Sequence, residues 1–129
     1  MTDSVAQSNR SPDREEFKAM AKFVTFFSYR PETWDHLLAR PSDRGNAIAA
    51  AIASLSGNVE LVYYMFGEYD GMVIVDMPDA SDVAAISIAV TSTGAFSKVE
   101  TRPLIAPGDM PAVLEKAGRA RQAYAPPGD

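Results

Sequence analysis

Asn58 to Met77 reads NVELVYYMFGEYDGMVIVDM, two apolar and β-branched runs on either side of Gly67-Glu68-Tyr69-Asp70-Gly71. Val, Ile and Tyr suit a pleated, half-buried surface, and an Asx-type residue between two glycines supplies a turn. The stretch therefore predicts a β-hairpin, with strands over Asn58 to Phe66 and Met72 to Met77. Upstream, Ile48, Ile52 and Leu55 repeat on one helical stripe among alanines, with Ser42 as N-cap and Gly57 as the stop. Before Pro41, a shorter helix starts at Pro31 and places Trp34, Leu37 and Leu38 on one face, with Trp34 as a core anchor. Lys22 to Tyr29, aromatic and β-branched, is the first strand.

Downstream, Pro78-Asp79 opens another helix, with Asp79 as N-cap and Asp82 placed favourably against the helix dipole. Val83, Ile86 and Val90 form its buried stripe, Ile88 projects away from it, and Gly94 ends it. Phe96 to Leu104 is the fourth strand, and Pro107 to Ala117 a final short helix carrying Val113 and Leu114. The order βαββαβ plus a C-terminal helix is the ferredoxin-like split βαβ arrangement, an α+β fold on a four-stranded antiparallel sheet.

That topology covers one sheet face with helices and leaves the other bare. Strict alternation in the second strand puts Val59, Leu61, Tyr63 and Met65 under the helices, and Glu60, Val62, Tyr64 and Phe66 on the open face. The fourth strand divides into Ser97, Val99 and Thr101 against Phe96, Lys98, Glu100, Arg102 and Leu104. A face carrying Tyr64, Phe66, Met72 and Ile74 is too apolar for water alone, which predicts a second copy of the chain over it, in a homodimer or larger assembly.

Composition narrows the chemistry. The chain has 129 residues, no cysteine and one histidine, which excludes disulfides, thiolate nucleophiles, zinc–thiolate clusters and any multi-histidine metal site within one chain. No apolar run approaches the roughly 18 to 20 residues of a spanning helix. Residues 1–20 read as a polar arm, disordered or weakly helical and without the apolar segment of a secretory signal; residues 21–118 read as the folded domain and 119–129 as a frayed tail. A cytoplasmic location is the expectation. The net charge of −5 falls entirely on the middle of the chain, where no Lys or Arg occurs between Arg44 and Lys98. Glu60, Glu68, Asp70, Asp76, Asp79 and Asp82 all lie in that interval, which argues against binding nucleic acid or an anionic membrane.

The block Tyr63-Tyr64-Met65-Phe66-Gly67-Glu68-Tyr69-Asp70-Gly71, followed by Val73-Ile74-Val75 and Pro78-Asp79, resembles the GYD-domain family, named for its Gly-x-Tyr-Asp signature. The resemblance runs from Ala21-Lys22-Phe23-Val24 through Gly57 to Gly94-Ala95-Phe96 and Val99-Glu100-Thr101. It implies membership of the dimeric α+β barrel group, in which two ferredoxin-like units press their open faces together. That group includes cofactor-independent monooxygenases, isomerases and haem enzymes; the GYD family itself implies no settled activity.

The candidate catalytic residues are Glu68, Tyr69, Asp70 and Tyr64, a set of carboxylates and phenols suited to acid–base work. Hairpin chemistry asks for the same residues at the turn, with Asp70 bonding amides and Tyr69 packing on the rim. Tyr64, Phe66, Trp34 and Arg102 are the candidate ligand-binding residues; Arg44 and Arg102 could hold an acidic substrate, although an ion pair or a surface position is the commoner fate of such bases. Glu68, Asp70 and Asp76 lack the spacing of a Ca²⁺ loop, so no metal site is expected. His36 is the one possible haem ligand, but helical geometry turns it away from Trp34, Leu37 and Leu38 toward solvent, and no cofactor is expected. Two readings stand. In one, the protein binds a small, largely apolar molecule between sheet and helices and carries out cofactor-free oxygenation or isomerisation. In the other, it is a non-enzymatic oligomerisation or interaction module without a ligand cavity.

Overall fold

A computed structural model describes residues 20–128; the N-terminal arm read from the sequence lies almost wholly outside them. The chain runs β1 (Ala21–Tyr29), α1 (Pro31–Ala39), α2 (Arg44–Ala53), β2 (Asn58–Tyr64), β3 (Gly71–Met77), α3 (Ala80–Thr91) and β4 (Phe96–Leu104). A 3₁₀ turn (Pro107–Asp109) then leads into α4 (Met110–Ala123). The strands form one antiparallel sheet in the order β2-β3-β1-β4, the expected ferredoxin-like α+β arrangement. Among the described residues no helix is long and apolar enough to cross a membrane.

Local chemistry explains most element boundaries. Extended Arg30 precedes Pro31 at the first turn of α1. The cap of α2 is Asp43 and not Ser42: its carboxylate accepts the Gly45 amide at 2.8 Å. At the far end of α2, Ser56 and not Gly57 takes the left-handed turn, at φ 64°, while the Gly57 amide closes onto the Ile52 carbonyl at 3.0 Å. Gly57 is required for a different reason, since a Cβ there would sit 2.3 Å from Met77 Sδ. α4 does not stop at Ala117; it runs through Gly118 to Ala123, supported by an Arg119–Glu115 pair, so the frayed tail is shorter than expected.

The helix-covered face of the sheet carries Phe23, Val73, Val75 and Met77, which form the buried core with Ile52 of α2. Two β-bulges decide what joins them. A register shift between Val59 and Leu61 puts both Val59 and Val62 against the core, and carries Tyr64 to the same side opposite Gly71. Leu61 and Tyr63 then pair with Ile74 and Met72 on the open face, which reverses the faces expected from strict alternation. The second shift, between Ser28 and Tyr29, pairs Tyr29 with Phe96. Phe96 thereby packs on the helix side, 5.8 Å from the Phe27 ring and 5.2 Å from Tyr29, instead of on the open face.

The open face mixes Val24, Phe26, Met72 and Ile74 with charges; Met72 and Ile74 lie there as expected, whereas Tyr64 does not. Lys22 bridges Glu60 and Asp76, the latter at 2.8 Å. Beyond Met110, α4 is exposed along its whole length, leaving Val113, Leu114 and Tyr124 uncovered.

Candidate functional site

The hairpin that identifies the fold is built as a clamp. Gly67 adopts φ 123°, a conformation that L side chains rarely reach, and lets the chain leave β2. Asp70 makes four hydrogen bonds. Its Oδ2 accepts from the Tyr29 amide at 2.9 Å and from Trp34 Nε1 at 3.0 Å. Its own amide donates to the Phe27 carbonyl at 2.8 Å, and its carbonyl accepts from the Met65 amide at 2.8 Å. One carboxylate thus ties the end of β1, helix α1 and the hairpin together. Gly71 completes the clamp, because a Cβ there would lie 2.4 Å from Phe27 Cζ.

Tyr69 points to the opposite side of the sheet. Its hydroxyl donates to Glu100 Oε2 at 2.7 Å, its ring packs against Phe26, and Lys98 Nζ lies 4.9 Å from its centroid. Glu68 bonds Lys98 at 3.3 Å, and Arg102 bonds Glu100 at 3.0 Å. The Tyr69 hydroxyl and then Arg102 hold the Glu100 carboxyl below its usual range, and the same bond raises the Tyr69 phenol. Among the described residues no three His, Asp or Glu side chains converge as metal ligands. Glu68, Asp70 and Asp76 are dispersed onto Lys98, the Tyr29–Trp34 pair and Lys22 respectively.

A partly enclosed cavity of about 460 Å³ lies between the sheet and helices α1, α2 and α3. Val73, Val75 and Val99 line it from the sheet, and Ile48, Ile86 and Val90 from the helices. The volume falls in the range of small-molecule sites, and the lining is predominantly apolar with a few placed polar groups. Thr25 and Thr101 share a hydrogen bond at 2.8 Å on the sheet side, Thr33, Ser87 and Thr93 add hydroxyls, and Tyr29, His36 and Arg44 are the ionisable groups of the lining among the described residues. Burial raises the Tyr29 phenol well above its ordinary 10.0, and the Tyr64 hydroxyl at 3.3 Å adds to this while Arg44 opposes it. Tyr29 therefore stays protonated across the neutral range and can donate.

The residues expected to bind ligand fall elsewhere. Trp34 is not a core anchor: it stands at the sheet's edge, 38% exposed and edge-on to Tyr29 at 5.1 Å, where its indole N–H reaches Asp70. That bond rolls α1 so that Thr33, His36 and Leu37 line the cavity, while Trp34 and Leu38 line an open groove of about 570 Å³ beside it. His36 accordingly stands at the cavity mouth, exposed but not turned away from the site. Tyr64 sits on the helix-side rim, its ring 6.1 Å from Trp34. Phe66 is fully exposed at the turn, and Arg102 lies on the open face. Of the candidate catalytic groups, none lines the cavity; Glu68 and Asp70 line the outer groove.

Sequence reasoning missed Tyr29 and the Thr25–Thr101 pair, whereas Arg44, like Arg102, is readable from the sequence as a base able to hold an acidic substrate, an ion pair or surface position being the commoner fate. Arg44 is the last base before the long base-free interval, at the first position of α2. Nothing marked Tyr29 or the two threonines, whose facing depends on cross-strand register.

No curated protein matches this chain. Among solved structures, MtbAldR is similar at 12% identity and TM-score 0.51, over 81% of this chain and 66% of MtbAldR. TTHA0845 of Thermus thermophilus is 22% identical, with TM-score 0.45, over 67% of this chain and 95% of that one. FFRP-DM1 is 20% identical, with TM-score 0.42, over 67% of this chain and all of its own. The likeness to MtbAldR speaks for fold alone, an α+β sheet with its helices. The signature residues of the clamp lie within the stretch matched by the GYD domain, residues 23–114, and the chain belongs to the GYD-domain family.

Proposed function

We propose that this protein binds a small, largely apolar molecule in the cavity between its sheet and helices. The observation that supports this reading is the cavity itself: about 460 Å³ of space lined mainly by aliphatic side chains, with polar groups at a few points. A pure interaction module needs no such space. Glu68, Tyr69 and Asp70 are bonded within the protein and do not line the cavity, so the reading is one of binding, without oxygenation or isomerisation by the turn. It also requires no cofactor; mixing with haem, which His36 at the mouth would ligate, is expected to produce no Soret shift.

The binding test uses Nile red, an uncharged apolar dye. Saturable fluorescence enhancement is expected with the wild type, and its loss in Ala51→Trp, which projects an indole into the space from α2. No saturable enhancement, or equal enhancement in the variant, overturns the reading.

The protein works as a homo-oligomer in this proposal. Phe26, Leu61, Tyr63, Met72 and Ile74 form an apolar field on the open face, and α4 offers Val113, Leu114 and Tyr124, exposed among the described residues. Native mass spectrometry is expected to report at least two copies of the 13.9 kDa chain, and would show any retained ligand in the same spectrum. A monomer at micromolar concentration overturns the assembly claim.

A further inference from the structure

The cavity lining departs from the rest of the chain in its charge. The protein carries 17 acidic residues and a net charge of −5, yet among the described residues no Asp or Glu lines the cavity. Among the described residues its ionisable lining consists of Tyr29, His36 and Arg44. Several other bases have a carboxylate at hand: Lys22 with Glu60 and Asp76, Arg30 with Glu32, Lys98 with Glu68, Arg102 with Glu100 and Arg119 with Glu115. Arg44 makes no ion pair among the described residues. The nearest acid in sequence, Asp43, is engaged in capping the Gly45 amide at 2.8 Å. Arg44 and Tyr29 line the same cavity, and burial keeps the Tyr29 hydroxyl protonated.

An apolar enclosure with a guanidinium and a neutral phenol at its edge is complementary to one kind of molecule. Resting on the binding reading above, we infer that the ligand is an apolar molecule bearing a single carboxylate, whose body fills the cavity and whose carboxylate is held at the mouth by Arg44. The guanidinium offers two parallel N–H donors to the two carboxylate oxygens, a bidentate geometry that an ammonium cannot reproduce. Tyr29 O–H and the His36 imidazole stand on the same lining as further donors. The apolar body supplies affinity by leaving water, and the carboxylate sets which molecules enter and which end leads.

Two probes of equal chain length separate body from headgroup: decanoate and 1-decanol, each measured by displacement of Nile red. The wild type is expected to prefer decanoate by about tenfold or more, the size of one charge-assisted hydrogen bond pair. Arg44→Gln is expected to collapse that preference toward unity, and Arg44→Lys to restore only part of it. Arg40→Gln removes an exposed base at the end of α1, outside the cavity lining, and should keep the preference. Circular dichroism on the Arg44 variants checks that α2 is intact. Saturable binding of both probes with no preference, or a preference that survives Arg44→Gln, overturns the carboxylate inference and leaves the cavity reading standing. Displacement by neither probe, with Nile red itself unbound, overturns both.

Discussion

In the turn that carries the family signature, polar groups are used up inside the protein. Asp70 holds an amide and a carbonyl of β1, the indole of α1 and the Met65 amide of the hairpin, and Tyr69 is bonded to Glu100. In the cavity behind the sheet, the opposite holds. Apolar walls enclose about 460 Å³, and Arg44 stands at the edge with no ion pair among the described residues. The contrast separates two reasons for which a residue type can recur in a family. Gly67, Asp70 and Gly71 are dictated by how three elements must meet, whereas a ligand is recognised by residues that no short motif announces.

The contrast can be broken first at the clamp. Asp70→Ala leaves the Tyr29 amide and the Trp34 N–H without their acceptor, and should cost about 3 kcal/mol of stability by urea unfolding. Asp70→Asn retains an acceptor oxygen and should cost clearly less. Equal, small losses for both would mean that the carboxylate does not tie the elements together. Gly71→Ala should cost about 2 kcal/mol, because a methyl group must displace the Phe27 ring from a packed position.

The cavity should respond with the opposite sign. Ala51→Leu adds methylenes where space exists, and is expected to raise stability by about 1 kcal/mol while weakening Nile red binding. A loss of stability comparable to that of Gly71→Ala would show the cavity to be as tightly packed as the clamp. The smallest effect is one of pH. Because burial and the Tyr64 bond raise the Tyr29 phenol, the folded chain keeps a proton that the unfolded chain releases above its ordinary 10.0. That contribution is complete below pH 10.0 and declines as the pH rises from there toward the folded-state value. Urea midpoints followed from neutral to alkaline pH should fall less steeply in Tyr29→Phe than in the wild type; parallel slopes would remove Tyr29 as the cause.

Much of the fold was legible because its signals are local. β4 was read to the residue, β1 to within one, and the helix stripe of Val83, Ile86 and Val90 was read correctly, with Ile88 pointing out at 69% exposure. Face assignments failed at the two bulges, because a single extra residue inverts every side chain beyond it and is specified by the partner strand. The misreading of Tyr64, Phe96, Leu61 and Tyr63 follows from that alone. The misreading of α1 has a longer-range cause. Its apolar spacing pointed Trp34, Leu37 and Leu38 inward, but the bond from Trp34 to Asp70, 36 residues away, rotates the helix and brings His36 to the cavity mouth.

The amino-acid sequence by itself determined the element order, the family and the turn chemistry of the hairpin, since backbone propensity, glycine and proline placement and hydrophobic period act over a few residues. It also determined the charge pattern that makes an acid-free cavity conspicuous. Which side chains surround that cavity was decided only in three dimensions. Strand register and helix rotation are set by contacts between segments far apart in the chain, and those contacts place Arg44, Tyr29 and His36 around one space.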